Sequence, residues 1–197
     1  EIDVLYDRAL SAYESDEFAE AIELWFQGAE LGDPRAQCEV GLAYYGLKES
    51  YLEENQHEGY HYVLLAANQN YNKAQHTLGV LHEENEFEHP EASLSLSRQW
   101  FLKAAENDHA PAMTELAVKF LQGEDTAIGL RRAEQFLLKA SGLGDAKASN
   151  ALGIHFIKLK DYERACGHLK KAANSGYQAA NVNLARLYYS GKGVNQD

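Results

Sequence analysis

The stretch AQCEVGLAYYG, residues 36–46, decides the reading of the whole chain. It opens on Ala36, places Val40 four residues on, follows it at once with Gly41, and sets Tyr44 three residues later. Offsets of 0, +4, +5 and +8 trace one stripe of an α-helix. The same stripe returns in AQHTLGVLHEE from Ala74, AMTELAVKFLQG from Ala112, ASNALGIHFIK from Ala148 and ANVNLARLYYSG from Ala180. Leu78, Leu116, Leu152 and Leu184 take the +4 place. Gly79, Ala117, Gly153 and Ala185 take +5, and His82, Phe120, Phe156 and Tyr188 supply the ring at +8. These are the A helices.

A second pattern alternates with the first. AIELWFQGAELGD, GYHYVLLAANQNY, SRQWFLKAAENDH, AEQFLLKASGLGD and ACGHLKKAANSGY align without gaps. They open on Ala21, Gly59, Ser97, Ala133 and Ala165, and carry Trp25, Val63, Phe101, Leu137 and Leu169 four residues later. Small pairs such as Gly28-Ala29 and Ala66-Ala67 close them. These are the B helices. Measured between A-helix alanines, the unit recurs every 38, 38, 36 and 32 residues. The units run over about 1–33, 34–71, 72–109, 110–145 and 146–177, with an incomplete one at 178–197, all in one repeat domain over 1–197. Small residues let two helix backbones approach closely, and the rings fill the space between neighbouring pairs. No unit can bury its stripe alone, so the stack is the folding unit. Six A and five B segments predict an all-α chain; the last A helix has no B partner, as if a further unit follows.

Linkers from A to B vary. GLKESYLEENQHE and HEENEFEHPEASLS are long and acidic, LQGEDTAIGL is shorter and KLKDY is minimal. They read as surface insertions on one edge of the array. The B-to-A turns carry Gly32, Gly144 and Gly176, which suits left-handed helix caps.

Composition agrees and narrows the function. Hydrophobic residues make up 45% of the 197 and charged residues 24%, the balance of a soluble globular chain. The formal net charge of -12 argues against nucleic acid, whose phosphates need a basic surface. No apolar run reaches the ~18 residues of a membrane helix. Cys38 and Cys166 are the two cysteines and form no C-x-x-C pair, so they read as buried thiols and not as a disulfide scaffold. The chain opens on Glu1 and not Met, which leaves room for an upstream segment. The compartment is open, with cytoplasm favoured over periplasm or secretion.

The A-x-x-x-L-G-x-x-[YF] pattern, the closing A-A-x-x-G and the segment NLARLYYSGKGVNQD together resemble Sel1-like repeats, relatives of tetratricopeptide repeats with variable unit length. The resemblance covers essentially the whole chain. It implies a right-handed α/α solenoid of helical hairpins that acts as an adaptor, scaffold or regulator in protein complexes. Some bacterial members carry disulfides within each repeat and are linked to β-lactam binding; this chain lacks those cysteine pairs, and that activity is not carried over.

One segment points elsewhere. HEGYH, residues 57–61, fits H-E-x-x-H, in which two histidines one turn apart hold zinc and the glutamate activates water. The repeat register argues against it. Gly59 and Val63 belong to the buried stripe of that helix, which turns His57 and His61 roughly 150–170° away from it. A zinc hydrolase using His57, Glu58 and His61 is therefore a remote alternative, and no metal or cofactor is expected. His82 reads as a packed, hydrogen-bonded core histidine, His168 as a substitute for an aromatic, and His89 and His109 as turn residues. GKGV has neither the preceding strand nor the spacing of a phosphate loop.

By analogy with the tetratricopeptide arrangement, a partner would meet the concave surface at +2, +6 and +9 of the A helices. Those positions, with the neighbouring Asn183, nominate Tyr45, His76, Val80, Asn150, Ile154, Asn183, Arg186 and Tyr189. The +6 side chains either line an open groove or pack between adjacent A helices. Asn150 and Asn183 either clamp a peptide backbone with their amides or are simply solvated. The expected function is a non-enzymatic scaffold or adaptor that binds a protein or peptide. The alternative is an inhibitor, such as an immunity protein, whose acidic surface faces a basic toxin or enzyme.

Overall fold

The computed structural model describes residues 2–46, 53–84, 94–123 and 127–192. Among the described residues there are eleven helices and no strand: α1 (Ile2–Glu14), α2 (Phe18–Glu30), α3 (Pro34–Tyr44), α4 (Gln56–Asn68), α5 (Asn72–Glu84), α6 (Leu94–Glu106), α7 (Ala110–Gly123), α8 (Ala127–Gly142), α9 (Ala146–Lys158), α10 (Tyr162–Asn174) and α11 (Gln178–Tyr189). Odd-numbered helices are the A segments and even-numbered helices the B segments. The fold is an all-α solenoid of helical hairpins. It divides into two compact units, Glu1–Asn107 and Asp108–Asp197. Parts of the linkers after α3, α5 and α7 (47–52, 85–93 and 124–126) lie outside the described residues, and His89 is among them.

Each turn is built the same way. The B-to-A turns place Gly32, Gly144 and Gly176 in the left-handed region, as their sequence suggests. The two turns without glycine do the same with Asn70 (φ 63°) and Asp108 (φ 62°), whose short polar side chains tolerate that conformation. In the first unit the amide of Asp33 donates to the carbonyl of Gly28 at 3.0 Å; in the second, that of Asp145 donates to Ala140 at 3.0 Å. Both close a Schellman-type cap. Asp33 and Asp145 then start the next A helix, accepting from the backbone N–H of Arg35 (2.9 Å) and Ala148 (3.0 Å).

The stripes face inward on the helices that have both hairpin partners; on α11 Leu184 is half-buried and Ala185 and Tyr188 are exposed. All five A-helix alanines are fully buried, and so are Val40, Leu78, Leu116 and Leu152 four residues on. On the B helices Trp25, Val63, Phe101, Leu137 and Leu169 are buried throughout. Three rings from successive helices, Phe26, Tyr44 and Tyr62, meet with centroids 6.1–6.2 Å apart. Such rings fill the wedge between neighbouring hairpins.

A polar ladder runs along the hairpin ends, and the repeat pattern did not announce it. Gln37 and Gln75, one residue after their stripe alanines, are buried and donate to the carbonyls of Ala29 (3.3 Å) and Ala67 (3.2 Å) at the ends of the preceding B helices. Each accepts in turn from the next B-helix end: Gln69 to Gln37 at 2.8 Å, and Asn107 to Gln75 at 2.9 Å. In the second unit the same job falls to Lys171, which donates to the carbonyl of Ser141 at 2.6 Å. Buried carbonyls at helix ends need such donors.

His82 is buried and lies 3.2 Å from the Tyr60 hydroxyl, as its place in the stripe implies. His168 stacks on Phe156 with centroids 5.5 Å apart and planes at 17°. Burial, then the charges of Lys171 and Arg164, push its pKa down. An unfolded chain takes up a proton at ~6.5 while the folded one does not. Stability therefore falls as pH drops through that value toward the folded pKa. His168→Phe, which restores the ring found at Tyr62, Trp100 and Phe136, removes this penalty. Chemical denaturation at pH 7.5 and pH 5 is expected to show the variant gaining on the parent as pH falls; an unchanged difference would refute the assignment.

Candidate functional site

The zinc-like pentapeptide lies where the register put it. His57, Glu58 and His61 are exposed on α4 while Gly59 is buried. The His61 ring rests edge-on against Tyr62 at 5.9 Å. Among the described residues no three His, Cys, Asp or Glu side chains gather in a metal-binding group.

The eight nominated docking residues divide between the two units. In the first, Tyr45, His76 and Val80 are half-buried. Tyr45 lies against its own hairpin: its ring carbons are 2.9 and 3.1 Å from where a Gly59 Cβ would stand. His76 also faces its hairpin partner, with its ring 5.4 Å from Phe101. In the second unit Asn150 is only 7% exposed and accepts from Nδ2 of Asn183 at 2.9 Å. The expectation of an amide open to a ligand or to solvent does not hold for Asn150; Asn183, half-buried, donates one N–H to it, because α9 and α11 approach closely enough for that bond. The same closeness buries Cys38 and Thr114 at the equivalent +2 position.

What stays open is a pair of stripes on α9 and α11. Ile154 is 38% exposed, Val182 53% and Tyr189 97%. Arg186 is exposed beside Val182 and Tyr189 on the same helix. Two neighbouring A helices thus present apolar side chains with a guanidinium among them, and the Asn183–Asn150 bond ties them together.

The sequence reading missed the ion pairs on the A helices. The residue before the stripe alanine is basic in three units, at Arg35, Lys73 and Lys147, and the residue three after it is acidic in two, at Glu39 and Glu115. Lys73 Nζ lies 2.6 Å from Glu39, which is buried, and Lys147 Nζ lies 4.0 Å from Glu115. Burial alone would lower the Lys73 pKa; the hydrogen bond and charge of Glu39 outweigh it and raise the pKa. Arg35 grips Asp33 through Nε (3.0 Å) and Nη2 (2.8 Å), reaches Asp3 at 2.7 Å and covers the Tyr6 ring at 4.5 Å. Those contacts, chiefly the Asp33 hydrogen bonds, hold its pKa above the usual arginine value. The repeated charges at -1 and +3 were the signal that could have found these pairs.

This is the architecture of a helical-repeat protein whose recurring residues serve packing. A family model for the Sel1 repeat matches residues 14–33, 34–71, 72–109, 110–145, 151–177 and 178–197. The chain belongs to the Sel1 repeat family. Among solved structures it is similar to c5321, a protective antigen of uropathogenic Escherichia coli strains with an SLR fold (TM-score 0.83, 23% identity, all of this chain and 43% of that one). The chain therefore spans less than half the length of that antigen. It is also similar to a Sel1 repeat protein from Oxalobacter formigenes (TM-score 0.84, 24% identity, 98% of this chain and 77% of that one). The immunity protein Pa5087 of Pseudomonas aeruginosa matches at TM-score 0.66 and 18% identity over 91% of this chain and 67% of its own. Among the described residues no helix is long and apolar enough to cross a membrane.

Proposed function

We propose that the chain is a non-enzymatic docking module that binds another protein or a peptide through the exposed stripes of its A helices. The observation that carries this reading is the exposure of Ile154 at the +6 place of α9, with Arg186 exposed at the same place of the neighbouring α11, in a fold that buries its stripe side chains. Exposed apolar side chains grouped on one face favour a protein ligand, and a fully exposed tyrosine is an effective contact residue. The Sel1 repeat scaffold is suited to such a role. In a pull-down against the native partner, Ile154→Asp and Tyr189→Ala are each expected to cut capture by about tenfold or more. Both variants should keep the parent's helicity and melting temperature, since neither side chain is buried. Unchanged capture by both would remove these stripes from consideration.

A second reading has its own support: the similarity to immunity proteins together with the acidity of the first unit. Residues 1–107 hold 21 acidic against 6 basic residues, a formal net charge of -15. Such a surface favours a basic toxin or enzyme. That reading requires a tight, salt-sensitive complex with a basic enzyme that loses its activity when bound.

A further inference from the structure

Docking through the A helices leaves the outer face of α4 unassigned. Most of the described histidines are engaged in the fold. His76 faces Phe101, His82 is buried beside the Tyr60 hydroxyl, and His168 stacks on Phe156. His155 is buried, 3.9 Å from Glu134. Nδ1 of His109 accepts from the backbone N–H of Ala112 at 3.3 Å. Among the described histidines, His57 and His61 are the exposed ones. The phase that rules out a buried zinc centre is what leaves both rings open to a surface ion.

Four residues along an α-helix rise about 6 Å and turn about 40°, so the two imidazoles stand on one line. The turn beneath them is fixed. Asn55 caps α4, accepting from the N–H of Glu58 at 3.3 Å through its side chain and from that of Gly59 at 2.9 Å through its carbonyl. On the inner side Gly59 is packed against Tyr45 and the Gly41 carbonyl. Packing does not ask for imidazole at either outer place. The equivalent residues are Ala19 and Glu23 on α2, Ser95 and Gln99 on α6, and Arg131 and Gln135 on α8. Two imidazole nitrogens one helical turn apart are a ligand pair for zinc, nickel or copper. The positive end of the helix dipole opposes a cation here. Glu58 in the same turn and the exposed Glu53 and Glu54 before it offset that, within a unit of net charge -15.

We propose that His57 and His61 chelate one divalent transition-metal ion, of the zinc, nickel or copper class, on the outer face of α4, with water in its remaining positions. Among the described residues no third His, Cys, Asp or Glu completes the set, so the pair lacks the closed shell of a structural zinc site. The open positions point outward, where a side chain of another molecule can take one. The site is independent of the docking stripes and involves none of their residues.

Isothermal titration calorimetry on the untagged, metal-free full chain tests it. Nickel and zinc are each expected to bind as one ion per chain. His57→Gln and His61→Gln should each weaken binding by at least about tenfold, and the double variant should bind neither ion. Glu58→Gln, which removes charge but no imidazole, should change the affinity by less than about threefold. Millimolar calcium or magnesium should not displace the nickel, because those ions take oxygen ligands. In proton NMR, paramagnetic nickel should broaden the ring resonances of His57 and His61 before those of the other histidines. Melting temperatures of the variants should stay within a few degrees of the parent, since both side chains are exposed. Absence of binding by the parent, or equal binding by the double variant, would overturn the proposal. Displacement by calcium would do so too, since it would mean that the acidic surface holds the ion by charge alone.

Discussion

Gly41→Val should destabilise the first unit by about 3 kcal/mol or more, while Gly167→Ala should stabilise the second by about 0.5–1 kcal/mol. Both glycines sit inside helices, so propensity alone predicts a gain for either replacement. Their surroundings reverse one of the signs. A Cβ on Gly41 would stand 2.6 Å from Cγ2 of Val63 and 2.9 Å from the backbone carbonyl oxygen of Gly59. A Cβ on Gly59 would stand 3.1 Å from the carbonyl oxygen of Gly41. Two backbones touch here, and backbone cannot rotate out of the way as a side-chain tip can. Around Gly167 nothing lies within 4 Å of the same point. Against the ~5–15 kcal/mol that holds a typical domain, the Gly41 change removes a large share. Urea denaturation of the two variants beside the parent checks the opposite signs. A stable Gly41→Val protein would mean that α3 and α4 are not packed backbone to backbone.

Phe101→Ala should cost about 3–5 kcal/mol, the range for emptying a fully buried aromatic site. The ring lies directly over Gly79: a Cβ there would fall 2.6 Å from Cδ1 and 2.7 Å from Cε1. That contact supplies a control. Gly79→Val alone should destabilise by forcing the ring aside, typically by about 1–3 kcal/mol. Combined with Phe101→Ala, the valine should partly fill the vacated space, so that the double variant is more stable than the sum of the two losses predicts. Chemical denaturation of all four proteins gives the coupling directly. Simple additivity would show that the residues are not facing one another.

The stripes were legible in the chain because a helical period of 3.6 residues leaves few arrangements for recurring small and large apolar residues. Ala36, Val40, Gly41 and their counterparts on α5, α7 and α9 could be placed inside from spacing alone, and His57 and His61 outside by the same phase. His168 was likewise readable as a substitute for a ring, although the burial that chiefly lowers its pKa was not.

The candidate site was less legible. Asn150 and Ile154 lie four residues apart on one helix face, yet one is buried and bonded to Asn183 while the other is exposed. Periodicity assigns them similar directions; it does not say how near the next A helix comes. The pairs Glu39–Lys73 and Gln37–Gln69 join residues 34 and 32 apart, and only the pitch of the stack brings them within hydrogen-bond reach.

The amino-acid sequence by itself determined the class of element, the number of hairpins, the inward faces and the family, because each follows from local period and side-chain size. Only the tertiary structure decided which outward side chains stay open, which polar groups close on one another, and where the chain divides into two compact units. Those outcomes depend on distances between helices that no single helix encodes.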